Sequence, residues 1–410
     1  MRPRPSVRAR FFIAICVLPR ESEYKYKIEH SRCTMAGILS NLFRRNSRKP
    51  AIYDFAIVGG GIAGLSAAAA LAPLGSVVIL EAERQLAYHA SGRSSEMFLP
   101  HHGSKAVRVL TEASTTHLHF ANGGVLRKRG MLLLGRAGEE QYFDYEMRAG
   151  NLSPIPIEDA GVYFPLMNQG TVSRAAWSND ALDMDVHSLI KGYADQARAD
   201  GAELRPNTQV LGMTQTSEGW EIASADSVVR SRFVINAAGA WADVIAGLAG
   251  LPPLGLACLR QSMIDLPSPA GHDVRRWPYV RAAGGRWYAK PTGNGMLLSC
   301  GEEEPVMPTD SAPDESVLAH GLARFEDMTT LSVTRVNNTW SGLRTFAADR
   351  SPVVGADPLN PSFIWLAGQG GTGFQTAPAL SDLLADLISG RASSLPTETV
   401  FAVSPDRLRG

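Results

Sequence analysis

Tyr53-Asp54-Phe55-Ala56-Ile57-Val58-Gly59-Gly60-Gly61-Ile62-Ala63-Gly64-Leu65-Ser66-Ala67-Ala68-Ala69-Ala70-Leu71 is the stretch that decides the fold. Tyr53 to Val58 is a short apolar run ending in glycines, which predicts a buried parallel strand. Ile62 to Leu71 is rich in Ala and Leu with no breaker, and predicts a helix stopped by Pro73 and Gly75. Val77 to Leu80 predicts a second buried strand, closed by Glu81. Strand, helix and strand thus form one βαβ unit within about 30 residues.

Gly59, Gly61 and Gly64 fit the pattern G-x-G-x-x-G. The first glycine permits the tight turn, the second lets backbone approach a pyrophosphate, and the third lets helix and strand pack closely. The helix N-terminus offers free N–H groups and a positive dipole end to the phosphates. Glu81 follows Gly59 by 22 residues. A carboxylate there accepts hydrogen bonds from both ribose hydroxyls and disfavours a 2′-phosphate.

Two further segments select FAD over NAD. Ser91-Gly92-Arg93-Ser94-Ser95 follows the Glu81 strand and supplies small donors where the rest of a long dinucleotide would lie. Gly368-Gln369-Gly370-Gly371-Thr372-Gly373-Phe374-Gln375 opens a helix whose free N–H groups suit negative charge on a reduced ring. Only one glycine triplet opens a βαβ unit whose second strand ends on an acid, which argues against a reductase carrying two dinucleotides.

Working outward, 410 residues imply two domains, and 45% apolar with 20% charged residues is ordinary for a globular protein. Formal net charge is zero, but residues 1–50 hold twelve Lys or Arg against three Glu. The remainder is therefore acidic by nine charges, which argues against a nucleic-acid partner. Cys16, Cys33, Cys258 and Cys300 form no metal-ligand spacing, so no metal site and no structural disulfide are expected. No run approaches the roughly 20 apolar residues of a membrane span. Residues 1–50 are set aside as a disordered, targeting or untranslated leader. The expected compartment is cytoplasmic, or organellar or membrane-peripheral if the leader is real.

Further along, the spacing predicts a helix at Val186–Ala199 and a strand at Gln209–Thr214. Strands are also expected at Phe233–Asn236, Arg286–Lys290, Gly295–Cys300 and Phe363–Ala367, with a final helix at Ala377–Ser389. No long helix is expected between about Phe120 and Asn179. The predicted fold class is α/β (α+β overall). A Rossmann-like, parallel-sheet FAD-binding domain is assembled from residues 51–96, 181–252 and 341–395. An inserted substrate domain with a curved, largely antiparallel sheet is drawn from 97–180 and 253–340.

Taken together, Ile57–Gly64, Tyr88–Ser94, Asn236–Asp243, Trp287–Pro291, Trp340–Phe346 and Gly368–Gln375 resemble the FAD-dependent D-amino-acid oxidase superfamily. The likeness is to D-arginine and D-amino-acid dehydrogenases and to glycine and sarcosine oxidases. It implies that Ile62, Ala63, Ala82, Val210, Ala238, Gly239, Trp241 and Gly342 join the glycine segments, Glu81 and Ser91–Ser94 around the flavin. It also implies an amino acid over the flavin, its carboxylate clamped by Arg344 and Tyr288, with oxygen or a quinone as electron acceptor. The expected reaction is hydride transfer from the amine-bearing carbon to flavin N5, followed by imine hydrolysis. Oxidation of a 2-hydroxy acid or an N-methyl amine, or a non-catalytic FAD-stabilised assembly role, are the alternatives.

The departures concern the substrate. Two glutamates that grip a guanidinium in D-arginine dehydrogenases match Gly130 and Gly285 here. A second carboxylate-binding arginine matches Gln261, beside Arg260. A loop tyrosine matches His102, an upstream histidine matches Met97, and an aliphatic strand position carries Arg281. The counter-charges for a cationic side chain are gone. Arg281 and His102 favour an acidic or polar substrate, or Arg281 takes over the missing carboxylate contact; the sequence leaves both open. His102 is a candidate to assist deprotonation of the amine.

Overall fold

A computed structural model describes residues 52–293 and 295–409; the expectations for residues 1–50, including Cys16 and Cys33, lie outside them. In chain order the elements that build the site are β1 (Ile52–Val58), α1 (Ile62–Leu71), β2 (Val77–Leu80), α2 (Lys105–Phe120), β3 (Met131–Arg136), α3 (Glu140–Ala149), α4 (Val186–Ala199) and β4 (Val228–Asn236). They continue as β5 (Ala257–Pro267), β6 (Tyr279–Ala282), β7 (Tyr288–Pro291), β8 (Gly295–Ser299), β9 (Asn338–Phe346), β10 (Asn360–Ala367) and α5 (Gly373–Ser389).

The fold is α/β, built on two large sheets. The first has eight strands, with β1 central between β2 and β4 and parallel to both. β10 joins the second half of β4 in parallel, while an antiparallel pair at 212–216 and 219–223 extends its first half. All four β2 residues are buried, as a parallel strand covered on both faces requires. α1, α2, α4 and α5 share one core against this sheet, with Leu65, Leu110, Leu189 and Leu380 at its centre. Pro378 lies inside α5 and carries no N–H. The neighbouring Ala379 N–H donates to Ser114 Oγ on α2 at 3.1 Å, so the two helices are joined where the proline interrupts the ladder.

The second sheet has nine strands and is antiparallel except where β6 lies parallel to β3. β9, β5, β8, β7, β6 and β3 follow one another across it. Strand alternation puts Leu132, Val280, Ala289, Leu298 and Ile264 into a buried cluster on one face. Met263, Tyr279, Tyr288 and Leu297 cluster on the other, toward the first sheet.

Several local expectations are corrected. The strand expected at Gln209–Thr214 is Gly212–Thr216, and residues 209–211 form no strand. α3 is a ten-residue helix in the region where no long helix is expected; its short amphipathic pattern buries only Phe143 and gives little periodic signal. Two domain boundaries also shift. α2 falls within 97–180 but buries Leu110 and Leu118 in the core of the first sheet. β9 crosses residue 341 while paired to β5 along its whole length, so residues 341–346 belong to the second sheet. Cys258 and Cys300 are free and buried.

Candidate functional site

The glycine loop is shaped by backbone collisions that only hydrogen side chains avoid. Gly59 has φ +106°, and a Cβ there would stand 2.5 Å from the Ala237 carbonyl oxygen. A Cβ on Gly64 would stand 1.9 Å from the Gly59 carbonyl oxygen, which fixes how closely α1 crosses the turn. The first-turn N–H groups of α1 have no partner within the helix, and Gly61, Ile62 and Ala63 border a cleft of about 550 Å³. The Ile62 N–H is taken by Ser91 Oγ at 3.0 Å; Ser91 therefore caps α1 and keeps its own O–H to donate.

Glu81 is buried and oriented by backbone. The Gly60 N–H donates to one carboxylate oxygen at 2.6 Å and the Glu83 N–H to the other at 2.8 Å. Glu81, Ala82 and Val210 border the same end of the cleft. Val210 lies in the segment without strand structure, so this wall is loop where a strand was expected.

Midway, Arg93 ties the two halves together. Its guanidinium donates to Ser341 O at 2.8 Å and Asp310 Oδ1 at 2.6 Å, and lies over the Tyr88 ring. Tyr88 OH donates to Asp310 Oδ2 at 3.0 Å. The Trp241 ring lies 4.5 Å from that of His89, centroid to centroid. Arg93, Ser94, Ala238, Gly239, Trp241 and Gly342 all border the cleft.

At the far end the cleft is bordered by Gly370, Gly371, Gly373 and Phe374 on one side and by Gln261, Met263, Tyr288 and Arg344 on the other. Arg344 Nη2 donates to Tyr288 OH at 3.1 Å. A Cβ on Gly371 would stand 3.2 Å from Arg344 Cζ, so the guanidinium passes directly over bare backbone at the start of α5.

Other sequence-predicted residues serve differently. Gly64 and Gly92 support the turns and do not border the cleft; Gly92 replaced by a larger residue would meet the Ala87 carbonyl at 2.4 Å. Thr372 donates its hydroxyl to Gln369 O at 2.9 Å. Gln375 anchors the 99–102 loop: it accepts from the Leu99 N–H at 3.1 Å and donates to Leu99 O at 3.2 Å and Thr111 Oγ1 at 2.8 Å.

His102 and Arg281 stand behind the Arg344 end and do not border the cleft itself. Enclosure by protein, followed by the fields of Arg281, Arg344 and Arg350, holds the His102 imidazole far below its usual 6.5, at about 3. His102 is an exposed residue, so water offsets much of the enclosure and the guanidinium groups are the firmer cause. So weak a base would be ill matched to taking a proton from an ammonium group near neutral pH. Arg281 forms an ion pair with Glu146 of α3, Nε to Oε2, at 2.8 Å. Glu146 and Asp310 were not foreseen. Each lies more than 100 residues from its partner and belongs to no motif, so only tertiary structure reveals them.

The cradle fits FAD. Bare backbone at Gly59 and Gly61 admits a pyrophosphate, Glu81 faces the ribose end, and the cleft runs on to a second end lined by glycines. Residues 54–387 match the model of the FAD dependent oxidoreductase family, and the chain belongs to that family. Glycine oxidase of Bacillus licheniformis is 23% identical over 374 residues, covering 87% of this chain and 97% of the relative. Human mitochondrial dimethylglycine dehydrogenase is 25% identical over 81% of this chain, which spans only 42% of that protein. Among solved structures, L-proline dehydrogenase from P. horikoshii superposes with a TM-score of 0.74 at 23% identity, covering 88% of this chain and 99% of the other. The protein is an FAD-dependent oxidoreductase.

Proposed function

We propose that this enzyme oxidises the C–N bond of a small amino acid whose carboxylate is held by Arg344 and Tyr288. The observation that carries the reading is the Arg344–Tyr288 pair at 3.1 Å, at the end of the cleft, against the Gly370–Gly371 turn. A guanidinium and a phenol hydroxyl converging on one place form a carboxylate acceptor, and Arg344 keeps further N–H groups to donate. Glycine and dimethylglycine, in the names of the relatives, are small acids bearing an amine.

FAD held by the Gly59–Gly64 loop, Glu81 and the Gly370–Gly373 turn would supply the hydride acceptor for the carbon carrying the amine, and water would hydrolyse the imine product to a carbonyl acid and ammonia or an amine. The chain's part is positioning. Arg344 and Tyr288 fix the carboxylate and thereby the carbon beside it. The start of α5 presents the positive end of its dipole at Gly370–Gly373 and would stabilise negative charge on a ring held there. His102 stays neutral and leaves the amine proton to solvent.

Anaerobic mixing of the FAD-loaded enzyme with glycine, sarcosine, D-alanine, L-proline and 2-hydroxy acids tests this. Amine substrates are expected to bleach the flavin band. Bleaching by hydroxy acids alone would overturn the reading.

A further inference from the structure

Strand pairing puts one more cation beside the proposed clamp. Arg281 of β6 lies directly opposite Tyr288 of β7 in an antiparallel pair, and residues so opposed share a face. Tyr279, two residues earlier on that face, packs its ring 5.3 Å from that of Tyr288. Arg281 therefore stands next to Tyr288, on the side of the sheet that borders the cleft.

We infer that Arg281, just beyond the border of the cleft, is a second anion-binding point reached by a substrate that extends past Tyr288, and that the substrate is an amine carrying two carboxylates. The inference rests on the amine-oxidation reading above and names its substrate class.

Charge balance supports it. Among the described residues Arg344 has no ion-pair partner, and Arg281 has only Glu146. Glu146 is itself held by the Gly284 N–H at 2.9 Å. The Arg281 Nε–H is not aimed at the carboxylate, for Nε is buried without a hydrogen bond although Oε2 lies 2.8 Å away. Other charges nearby cancel: Arg350 pairs with Glu303 at 2.6 Å, and Lys290 lies 3.6 Å from Glu96 and 3.5 Å from Asp183. Two guanidinium groups facing one carboxylate leave a single positive charge.

An ordinary amino acid enters at neutral pH as a zwitterion of zero net charge and leaves that charge uncompensated. An amino dicarboxylate enters with one net negative charge and balances it, which matters where water is scarce. The guanidinium end of Arg281 has no side chain on its Gly285 side. Gly285 stands beside Arg281 Nη2, 3.4 Å from where its Cβ would be, and both Gly284 and Gly285 adopt left-handed φ of 75° and 65°. A side chain at 285 would begin in van der Waals contact with the guanidinium end.

The test uses full-length, FAD-loaded enzyme. Anaerobic flavin reduction is compared within matched pairs, iminodiacetate against sarcosine and D- or L-aspartate against alanine. Malonate and acetate are titrated separately by their perturbation of the flavin spectrum. At least one dicarboxylate should exceed its monocarboxylate partner by roughly ten- to hundredfold in rate constant over dissociation constant, the scale of one charge-assisted contact. Arg281→Met should collapse that ratio and Arg281→Lys should restore part of it. Should the Met variant fail to fold, Glu146→Gln is expected to tighten malonate binding by releasing the guanidinium. Sarcosine and alanine reducing the flavin as well as their dicarboxylate partners, with malonate no tighter than acetate, would overturn the inference and leave amine oxidation standing. Malonate binding that depends on Arg281 without reduction by any amine would uphold the anion site and overturn the reaction.

Discussion

At the Glu81 end of the cleft the binding surface is largely backbone, and most of what shapes it lies between Gly59 and Ser91, with Ala237 and Val210 closing it from later in the chain. Gly59, Gly61 and Gly64 set the turn, Ser91 caps the helix, and Glu81 is oriented by two N–H groups of its own neighbourhood. At the Tyr288 end one wall is the Gly370–Gly373 backbone and the other is side chains from β5, β7 and β9, brought together by sheet register, with Glu146 of α3 paired to Arg281. The first end is constrained by steric necessity, since a single added carbon collides with backbone. The second tolerates exchange of one charged or polar group for another. A family can therefore keep its cofactor chemistry while changing what it oxidises, and Gly285 beside Arg281 marks such a change here.

The contrast breaks first at Gly64. Gly64→Val would drive carbon into the Gly59 carbonyl from 1.9 Å, and a loss of more than about 3 kcal/mol is expected. Flavin-to-protein absorbance ratios should fall close to zero and the thermal midpoint should drop; near-normal FAD content would show that the backbone end is less constrained than argued. Arg344→Ala comes next. Its apparent substrate constant should rise on the order of 10²- to 10³-fold, with FAD retained, as steady-state kinetics beside the flavin spectrum would show.

Gln375→Leu should cost roughly 1–3 kcal/mol by leaving the Leu99 backbone and Thr111 without their partner. Thermal melting of the FAD-loaded protein reads that loss, and unchanged melting would remove Gln375 as the anchor of the loop. The smallest effect concerns pH. His102 titrates far below 6.5 when folded and near 6.5 when unfolded, so between about pH 3 and 6.5 the unfolded chain binds the extra proton. Its contribution to stability thus rises with pH across that window and is complete above it. His102→Gln should flatten this slope in denaturation measured from pH 4 to 7. In the wild type, kcat/KM should show no inflection near 6.5 from this residue.

The βαβ unit, α4 and the C-terminal strand and helix are readable because each is a local pattern with its own stop signals. Val77–Leu80 and Val186–Ala199 fall where periodicity puts them. Gln209–Thr214 misleads because Val210 is apolar for a different reason: it borders the cleft rather than filling a strand. α2 leaves its expected domain because burial against α5 is decided by tertiary packing, which no spacing within residues 97–180 encodes. The site divides in the same way. Glycines and Glu81 declare themselves through spacing. Ser91 and Gln375 stand where polar groups were expected, but serve the protein's own backbone. Glu146 and Asp310 carry no local signal, since each matters only through a partner more than 100 residues away.

The most direct measurement is a titration of the FAD-loaded enzyme with a small unreactive carboxylate, followed by the flavin difference spectrum, in wild type and in Arg344→Ala. A saturable perturbation in the wild type that disappears in the variant, with FAD still bound, is the predicted result. Equal perturbation and equal affinity in both proteins would contradict a carboxylate clamp at Arg344 and Tyr288.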